Sequence, residues 1–501
     1  MTTTLETSQI NSSALLSDFT PWANIHTPNI TGLSSDSRET KPGDLFIACA
    51  GPINERWHYI EQAISRGAIA ALIDTEMVDP SQKPASIPII PVPDLIDKVG
   101  FIAARFYGEP SEDMQIIGIT GTNGKTSCSQ FIARALQQAG MQCGVMGTLG
   151  SGFPDDLTPG SLTTPDPITL QRQLAHLKQR GAKAVAMEVS SHSLAQKRVA
   201  GVQFKYAVFT NLSQDHLDYH KDMEHYGAAK RELFLQPDLE YAIFNTDDNF
   251  GGQLLREFTT RLPCYSYGLE TSAIVNKRIQ ASQIRLTSHG MSAQITSPWG
   301  KGALHTHLLG RFNLSNLLAV LSTLGVMGIP LPDILHYLAT LPGVPGRMQT
   351  FGGGKLPLVV VDYSHTPDAL EKALLALREH CHGTLWCVFG CGGNRDPSKR
   401  KLMGQIAERF SDQIIITDDN PRFEDPAAIT ENIIEGLLCP WAAEIEHDRH
   451  TAIAHAIDCA HTGDVILIAG KGHETYQQVG AIKIPFNDAE QVQMQLQLKQ
   501  I

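Results

Sequence analysis

The chain has 501 residues, 42% of them hydrophobic and 18% charged, with a formal net charge of −12. These values fit an ordinary globular protein of two to four domains and exclude a disordered or fibrous chain. The negative balance argues against a general nucleic-acid coat or a polybasic membrane anchor, but leaves room for an anionic substrate held by locally positive loops.

The N-terminal stretch "MTTTLETSQINSS" lacks both the basic start and the apolar core of a secretory signal. No run approaches the roughly 18 apolar residues of a membrane span. Nine cysteines are scattered, several within apolar runs such as "LWCVFGC". That usage predicts free thiols in a reducing cytoplasm rather than a disulfide framework.

"FYGEPSED" at 106–113 breaks the pattern and predicts a first linker. Directly after it, the apolar run "MQII" leads into "GITGTNGKTS" at 118–127 and then into "CSQFIARALQQAG", which has helical amphipathicity. A glycine loop at a helix N-terminus presents backbone N–H groups and the positive end of the helix dipole. Gly121, Thr122, Asn123 and Gly124 would wrap phosphates, Lys125 would reach the β- and γ-phosphates, and the Thr126 hydroxyl, followed by Ser127, would meet Mg²⁺. The general phosphate-loop pattern asks for glycine five positions before Gly124, where Ile119 stands. The loop is therefore a variant, and "GKT" alone also fits a plain tight turn.

Further along come "AKAVAMEV", "KYAVFTN" and "EYAIFN", then a second predicted linker, "LPGVPGRMQTF" at 341–351, then "LPLVVVDY", "TLWCVFG", "DQIIITDD" and "DVILIAG". Near-continuous apolar strands alternating with helical stretches predict parallel sheets covered on both faces, hence an α/β protein. Three domains follow, about 1–110, 111–344 and 345–501. Within them, Glu188 ends an apolar run, where a carboxylate must be ligated or exposed. In "DHLDYHKDMEHY", His216, His220 and His225 recur at near-helical spacing, which admits a zinc site or merely surface histidines. Lys230 reads, by itself, as an exposed helical lysine. The "DDNPRF" segment predicts an Asx–Pro turn.

The sequence resembles the Mur ligase family over nearly its whole length. "GTNGKT", "LTTPD" at 162–166, "MEVSSHSLAQKRV" at 187–199, "TNLSQDHLDYH" at 210–220 and "GRFNLSNLLA" at 310–319 carry the resemblance in the middle domain. "GVPGRM", "VDYSHTPDAL", "GCGGNRD", "DDNPR" and "AGKGHE" carry it in the last. The most similar branch adds the third amino acid to UDP-N-acetylmuramoyl-L-alanyl-D-glutamate in peptidoglycan synthesis. The resemblance implies a central ATP-binding parallel sheet, a C-terminal Rossmann-like domain and an N-terminal uridine-nucleotide domain. It also implies a cytoplasmic, monomeric ligase that activates a carboxylate as an acyl phosphate, with no nucleic-acid partner and no membrane anchor.

Residue by residue, the resemblance places Lys125, His216 and Lys230 in catalysis. Mg²⁺ would be held by Thr126, Glu188, His216 and Lys230, the last as a carbamate derived from CO₂. Asn313, which precedes the helix "LSNLLAVLSTLG", matches a nucleotide contact, and Arg347 and Asp362 match contacts to phosphate and ribose of ATP. Ser35 and Ser37 match uridine contacts; Thr163, Thr164, Ser190, Gln196 and Arg198 match contacts to the UDP-muramoyl-dipeptide. The "GPIN" segment, Gly51 to Asn54, departs from the family pattern. Arg395, Asp419, Asn420, Pro421, Arg422, Gly470 and Glu474 match amino-acid contacts. An arginine in "DNPR" can grip the second carboxylate of meso-diaminopimelate, which L-lysine lacks, so diaminopimelate is the expected amino acid. Lysine-adding relatives, folylpolyglutamate synthase and an ATP-dependent regulatory switch are the alternatives.

Overall fold

The structure is a computed structural model that describes residues 10–22, 29–49, 51–52, 55–77, 86–270 and 277–499. It forms two compact units, 1–265 and 266–501. All eight apolar runs singled out above are strands.

In the first unit, β1 (Gly32–Ser34), β2 (Asp44–Ile47), β3 (Ala70–Asp74) and β4 (Ile89–Val92) form a parallel sheet in that order. Successive side chains point to opposite faces of a strand. Accordingly Leu45, Ile47 and Leu72 pack with Leu95, Val99 and Ile102 on one face. Phe46, Ala71 and Ile73 pack with Ile60 and Ala63 on the other.

The same unit holds a larger sheet made of β5 (Gln115–Thr120), β6 (Cys143–Gly147), β7 (Gly150–Phe153), β8 (Asp156–Thr158), β9 (Ala184–Glu188), β10 (Tyr206–Phe209) and β11 (Tyr241–Asn245). The order is β11-β10-β5-β9-β6-β7-β8. Strands β6, β9, β5, β10 and β11 run parallel, whereas β7 and β8 turn back antiparallel. Because the chain leaves β5 towards β6 but leaves β9 in the other direction, towards β10, the winding reverses between the neighbours β5 and β9, and the crevice beyond their carboxyl ends is where such sheets bind ligands.

The chain passes into the second unit within β12 (Cys264–Gly268). There β13 (Arg278–Thr287), β14 (Gly290–Ser297) and β15 (Gly300–Thr306) form an antiparallel meander. Its burial alternates along much of each strand, as expected for a sheet with one wet face. The helices Arg311–Val326 and Leu331–Ala339 follow.

A second sheet has the order β16-β17-β21-β18-β19-β20, from β16 (Gln349–Gly352), β17 (Leu358–Asp362), β18 (Leu385–Phe389), β19 (Gln413–Ile416), β20 (Ala443–Ile445) and β21 (Val465–Ala469). Only β16 is antiparallel. Apolar clusters cover both faces, one around Leu374, Phe389 and Leu467, the other around Val361, Ile453 and Ile468. A hairpin, β22 (Tyr476–Val479) and β23 (Ile482–Pro485), follows. The last helix is Asp488–Lys499.

Within this unit the N–H of Gly310 donates to buried His380 Nε2 at 2.9 Å. His380 Nδ1 lies 2.6 Å from the carbonyl of Thr287. One ring nitrogen accepts and the other donates, so the ring is neutral, and burial lowers its pKa. All nine cysteines are free thiols. Among the described residues no helix is long and apolar enough to cross a membrane.

Candidate active site

The turn after β5 opens the helix Lys125–Gln138, with Gly124 in the left-handed region at φ 87°. Gly121 has no alternative, because a Cβ there would lie 1.9 Å from Thr210 Oγ1. The loop is clamped by the segment after β10. Thr122 N donates to Asn211 O at 2.8 Å, Asn123 N to Asn211 Oδ1 at 2.9 Å, and Ser213 N to Thr122 Oγ1 at 3.0 Å.

Two lysine side-chain nitrogens converge on one carbonyl. Lys125 Nζ donates to Gly121 O and Thr122 O, each at 2.8 Å, and Lys230 Nζ donates to Gly121 O at 2.9 Å. Lys230 is buried, contrary to its reading as an exposed helical lysine. Its helix, Met223–Arg231, turns that face inward, and Nζ lies 4.3 Å from the centre of the Tyr226 ring. Desolvation, followed by the nearby Lys125 charge, holds its pKa well below the ordinary lysine value, with Asp215 opposing weakly. Tyr226 is tied to the loop, its hydroxyl 3.2 Å from Thr122 Oγ1, and burial raises that phenol to about 12.

Thr126 Oγ1 donates to Glu188 Oε2 at 2.9 Å, which joins the first helical turn to the end of β9. Glu188 is buried, and its carboxylate also accepts from Thr148 N at 2.9 Å and Thr148 Oγ1 at 3.1 Å. A Cβ on Gly147 would stand 2.1 Å from Glu188 Oε1, so the glycine keeps open the space beside that oxygen. Hard oxygen donors of this kind suit Mg²⁺. Ser127 is buried in the same helical turn.

Several of the expected muramoyl-dipeptide contacts join this network. Thr163 Oγ1 lies 3.2 Å from Thr148 Oγ1, and Thr164 Oγ1 donates to the backbone carbonyl of Glu188 at 2.9 Å. Ser190 N donates to Thr164 Oγ1 at 3.2 Å, while the Ser190 hydroxyl caps the helix Ser191–Ala195. Arg198 reaches Thr164 O at 3.1 Å and bonds Gln196, whose amide donates to Tyr219. Ser37 stands apart from these groups: its hydroxyl donates to Gln62 at 2.6 Å beside the four-stranded sheet. Ser35 is half-buried nearby. Ile53 and Asn54 of the divergent "GPIN" segment lie outside the described residues.

The three histidines do not share one helix. His216 caps a short turn, Leu217–His220, in the left-handed region, and Lys221 at φ 70° breaks the chain before Met223. His216 Nε2 lies 3.3 Å from Asp215, and its ring is 4.8 Å from that of His192. His220 is buried against Ser191, whereas His225 is exposed and held by Asp222.

In the second unit, Asn313 lies inside the helix Arg311–Val326, not before it, because Gly310 already caps the helix. Its amide is buried and donates to Leu309 O at 2.9 Å. Arg347 stacks on the Tyr363 ring at 4.9 Å, and its buried Nε has no hydrogen-bond partner among the described residues. Asp362 accepts from Met348 N at 2.8 Å and from the Ser364 hydroxyl.

The expected amino-acid contacts do meet, at the carboxyl ends of β18, β19 and β21. Asp419, Asn420 and Pro421 are buried after β19. Burial raises the pKa of Asp419, with Arg449 and Lys471 opposing. Arg422 is left-handed at φ 53° and donates through Nη1 to Gly393 O at 2.7 Å. Asn420 Nδ2 donates to Glu474 Oε2 at 2.8 Å. Gly470 is required by space, since a Cβ would lie 2.6 Å from Asp419 Oδ2. Arg395 is exposed on the loop after β18.

Sequence reasoning passed over Thr148, Tyr226 and Lys471. The first two carry no local signal, since each matters only through a partner 40 or 104 residues away. Lys471 did carry one, a cation between two glycines directly after an apolar strand.

Comparison with known proteins agrees with this layout. The family model for the Mur ligase middle domain matches residues 119–324, and that for the Mur ligase, glutamate ligase domain matches 346–472. The UDP-N-acetylmuramoyl-L-alanyl-D-glutamate--2,6-diaminopimelate ligase of Coxiella burnetii is 49% identical over 470 residues, which cover 93% of this chain and 96% of the relative. A solved structure of a ligase of that name is 33% identical with a TM-score of 0.75, covering 99% of this chain and 100% of its own. The MurF ligase of Thermotoga maritima in complex with ADP shares the fold, with a TM-score of 0.61 at 18% identity over 94% of this chain and 98% of its own.

Proposed function

This chain belongs to the Mur ligase family, and from that premise we propose that it joins meso-diaminopimelate to UDP-N-acetylmuramoyl-L-alanyl-D-glutamate. ATP is the activating co-substrate, and the products are the tripeptide, ADP and phosphate. The enzyme acts as a cytoplasmic monomer without nucleic-acid or membrane partners. The domain limits at 110 and 344 belong to the same reading.

One observation carries the chemistry: two lysine side-chain nitrogens on a single loop carbonyl, beside a buried threonine–glutamate oxygen pair. A carboxylate is a poor acyl donor. In the proposed reaction a γ-carboxylate oxygen of the D-glutamyl group attacks the γ-phosphorus of ATP, and the bond to the bridging oxygen breaks to release ADP. The amine of diaminopimelate then attacks the acyl carbon, loses a proton, and the carbon–oxygen bond to phosphate breaks. Such catalysis is mostly positioning and charge neutralisation.

Lys125 exchanges its two loop carbonyls for phosphate oxygens, while the N–H groups of the first helical turn and the helix dipole hold the rest. Thr126, Glu188 and His216 would hold Mg²⁺, which when bound neutralises phosphate charge. Lys230 is suited to carbamylation because burial favours its neutral amine. That nitrogen adds to CO₂, an N–C bond forms and a proton leaves, giving an anion where a cation stood. Thr163, Thr164, Ser190, Gln196 and Arg198, with Ser35 and Ser37, receive the UDP-muramoyl-dipeptide. Asn313, Arg347 and Asp362 are assigned to the nucleotide, and Arg395, Asp419–Arg422, Gly470 and Glu474 to the amino acid. Arg422 grips the distal carboxylate and Glu474 the distal ammonium.

A coupled assay for ADP release, run with the UDP-muramoyl-dipeptide and either diaminopimelate or L-lysine, tests this reading. Turnover should require the dipeptide and diaminopimelate together. Turnover with lysine in place of diaminopimelate would move the chain to the lysine-adding branch, and ATP hydrolysis without either co-substrate would favour a regulatory switch.

A further inference from the structure

Lys471 belongs to none of the roles above, yet it is fully buried. It follows β21 in a "GKG" turn whose two glycines are both forced. A Cβ on Gly470 would meet Asp419, and one on Gly472, at φ 54°, would lie 2.7 Å from Tyr363 Cβ. The side chain therefore runs inward and ends between two loops, where Nζ donates to Asn420 Oδ1 at 3.0 Å and to Glu474 Oε2 at 2.9 Å.

These bonds fix more than the lysine. Asn420 Oδ1 accepts from both Lys471 Nζ and Gln478 N, the latter at 2.9 Å, so the amide cannot flip without losing both. Its Nδ2 is thereby directed at Glu474 Oε2. That oxygen now takes two donors, which leaves Oε1 without a partner among the described residues. The Glu474 side chain is 20% exposed whereas that of Lys471 is 0% exposed, so the pair opens on the carboxylate side only.

A neighbouring pair shows what a purely structural ion pair looks like in this fold. Arg449 and Asp488 are both 0% exposed and meet through two bonds. Two further Arg449 bonds end on backbone carbonyls of Asp418 and Ala469. Nothing in that pair is left to face a ligand.

We infer that Lys471 is a positioning residue, which locks the Asn420 amide and aims the free oxygen of Glu474 at the ammonium group of the incoming amino acid. The inference rests on the reading of Asn420, Arg422 and Glu474 as the amino-acid site. Breaking one partner of a buried hydrogen-bonded charge pair also leaves the other uncompensated, so the effect should be large and confined to one substrate.

The test compares the parent with Lys471→Met, Lys471→Arg, Glu474→Gln and the double variant Lys471→Met/Glu474→Gln, measuring kcat and KM for diaminopimelate and for ATP. Lys471→Met should raise the diaminopimelate KM at least tenfold and leave the ATP KM within twofold. Lys471→Arg, which keeps the charge, should recover part of that loss. Adding Lys471→Met to Glu474→Gln should cost less than threefold more, because the two act through one carboxylate. Should Lys471→Met alone not fold, the double variant, which leaves no unpaired carboxylate, carries the comparison. A parent-like diaminopimelate KM in Lys471→Met, fully multiplicative effects in the double variant, or equal losses for both substrates would overturn the positioning role. An unchanged KM in Glu474→Gln would instead remove the amino-acid site itself, and this inference with it.

Discussion

In the phosphate loop of the first unit, Lys125 and Lys230 both donate to the carbonyl of Gly121, Lys125 also donates to that of Thr122, and burial favours the neutral amine of Lys230. In the second unit, Lys471 meets Glu474 and Arg449 meets Asp488, so each of these two buried cations has a carboxylate. In the reading proposed above, the first arrangement receives a polyanion at the helix N-terminus. The second is internally balanced and, in the same reading, receives a zwitterion through Arg422 and the second oxygen of Glu474. On this reading, the partners of the buried lysines, backbone carbonyls in one unit and a carboxylate in the other, separate the site proposed for phosphates from the one proposed for the amino acid.

Four substitutions break or sharpen that contrast. Lys125→Ala should have the largest effect, lowering kcat for phosphate release by about 10³-fold or more, because it removes charge stabilisation where charge is transferred. Thermal unfolding should stay close to the parent's. Substantial residual turnover would mean that the loop does not cradle phosphate.

Arg422→Ala comes next. It should raise the diaminopimelate KM by about 30-fold or more while ATP affinity stays nearly constant, as expected when one partner of a charge-assisted pair is truncated. Equal KM values would remove Arg422 from recognition. Gly147→Ala should be milder, lowering kcat roughly tenfold, since its Cβ would enter the space at Glu188 Oε1 and displace a hydrogen-bonded carboxylate. A parent-like rate would show that this space is not used.

The smallest effect is on stability. The folded-state pKa of Lys230 is depressed, so between that value and the ordinary 10.5 the unfolded chain binds more protons than the folded one. Stability from this residue thus increases as pH rises through that window. In CO₂-free buffer Lys230→Met should be more stable than the parent near pH 7, with the advantage shrinking towards pH 10. A gap independent of pH would place a neutral group at Lys230 in both states, or a charged one in both.

The two regions also differed in how much the sequence disclosed. The phosphate loop depends on neighbours: glycines, lysine and threonine lie within ten residues, and strand, turn and helix follow directly from them. The parallel strands were equally legible, because strands buried on both faces read as unbroken apolar runs. The meander β13–β15 was not, since its burial alternates and no apolar run marks it. The helix that holds Asn313 was expected to start three residues too late, because the left-handed Gly310, which caps it, looks like any other loop glycine. Lys230 reads as exposed until Tyr226 and Gly121 are brought around it. Asn420, Lys471 and Glu474 come from two loops after different strands, and only sheet order brings them together.

The central claim is that phosphate leaves carrying an oxygen from the substrate's own carboxyl group. With ¹⁸O in both γ-carboxylate oxygens of the UDP-muramoyl-dipeptide, mass spectrometry of the liberated phosphate should find one ¹⁸O per molecule. Phosphate free of the label would contradict acyl-phosphate activation and, with it, the chemistry assigned to Lys125 and its loop.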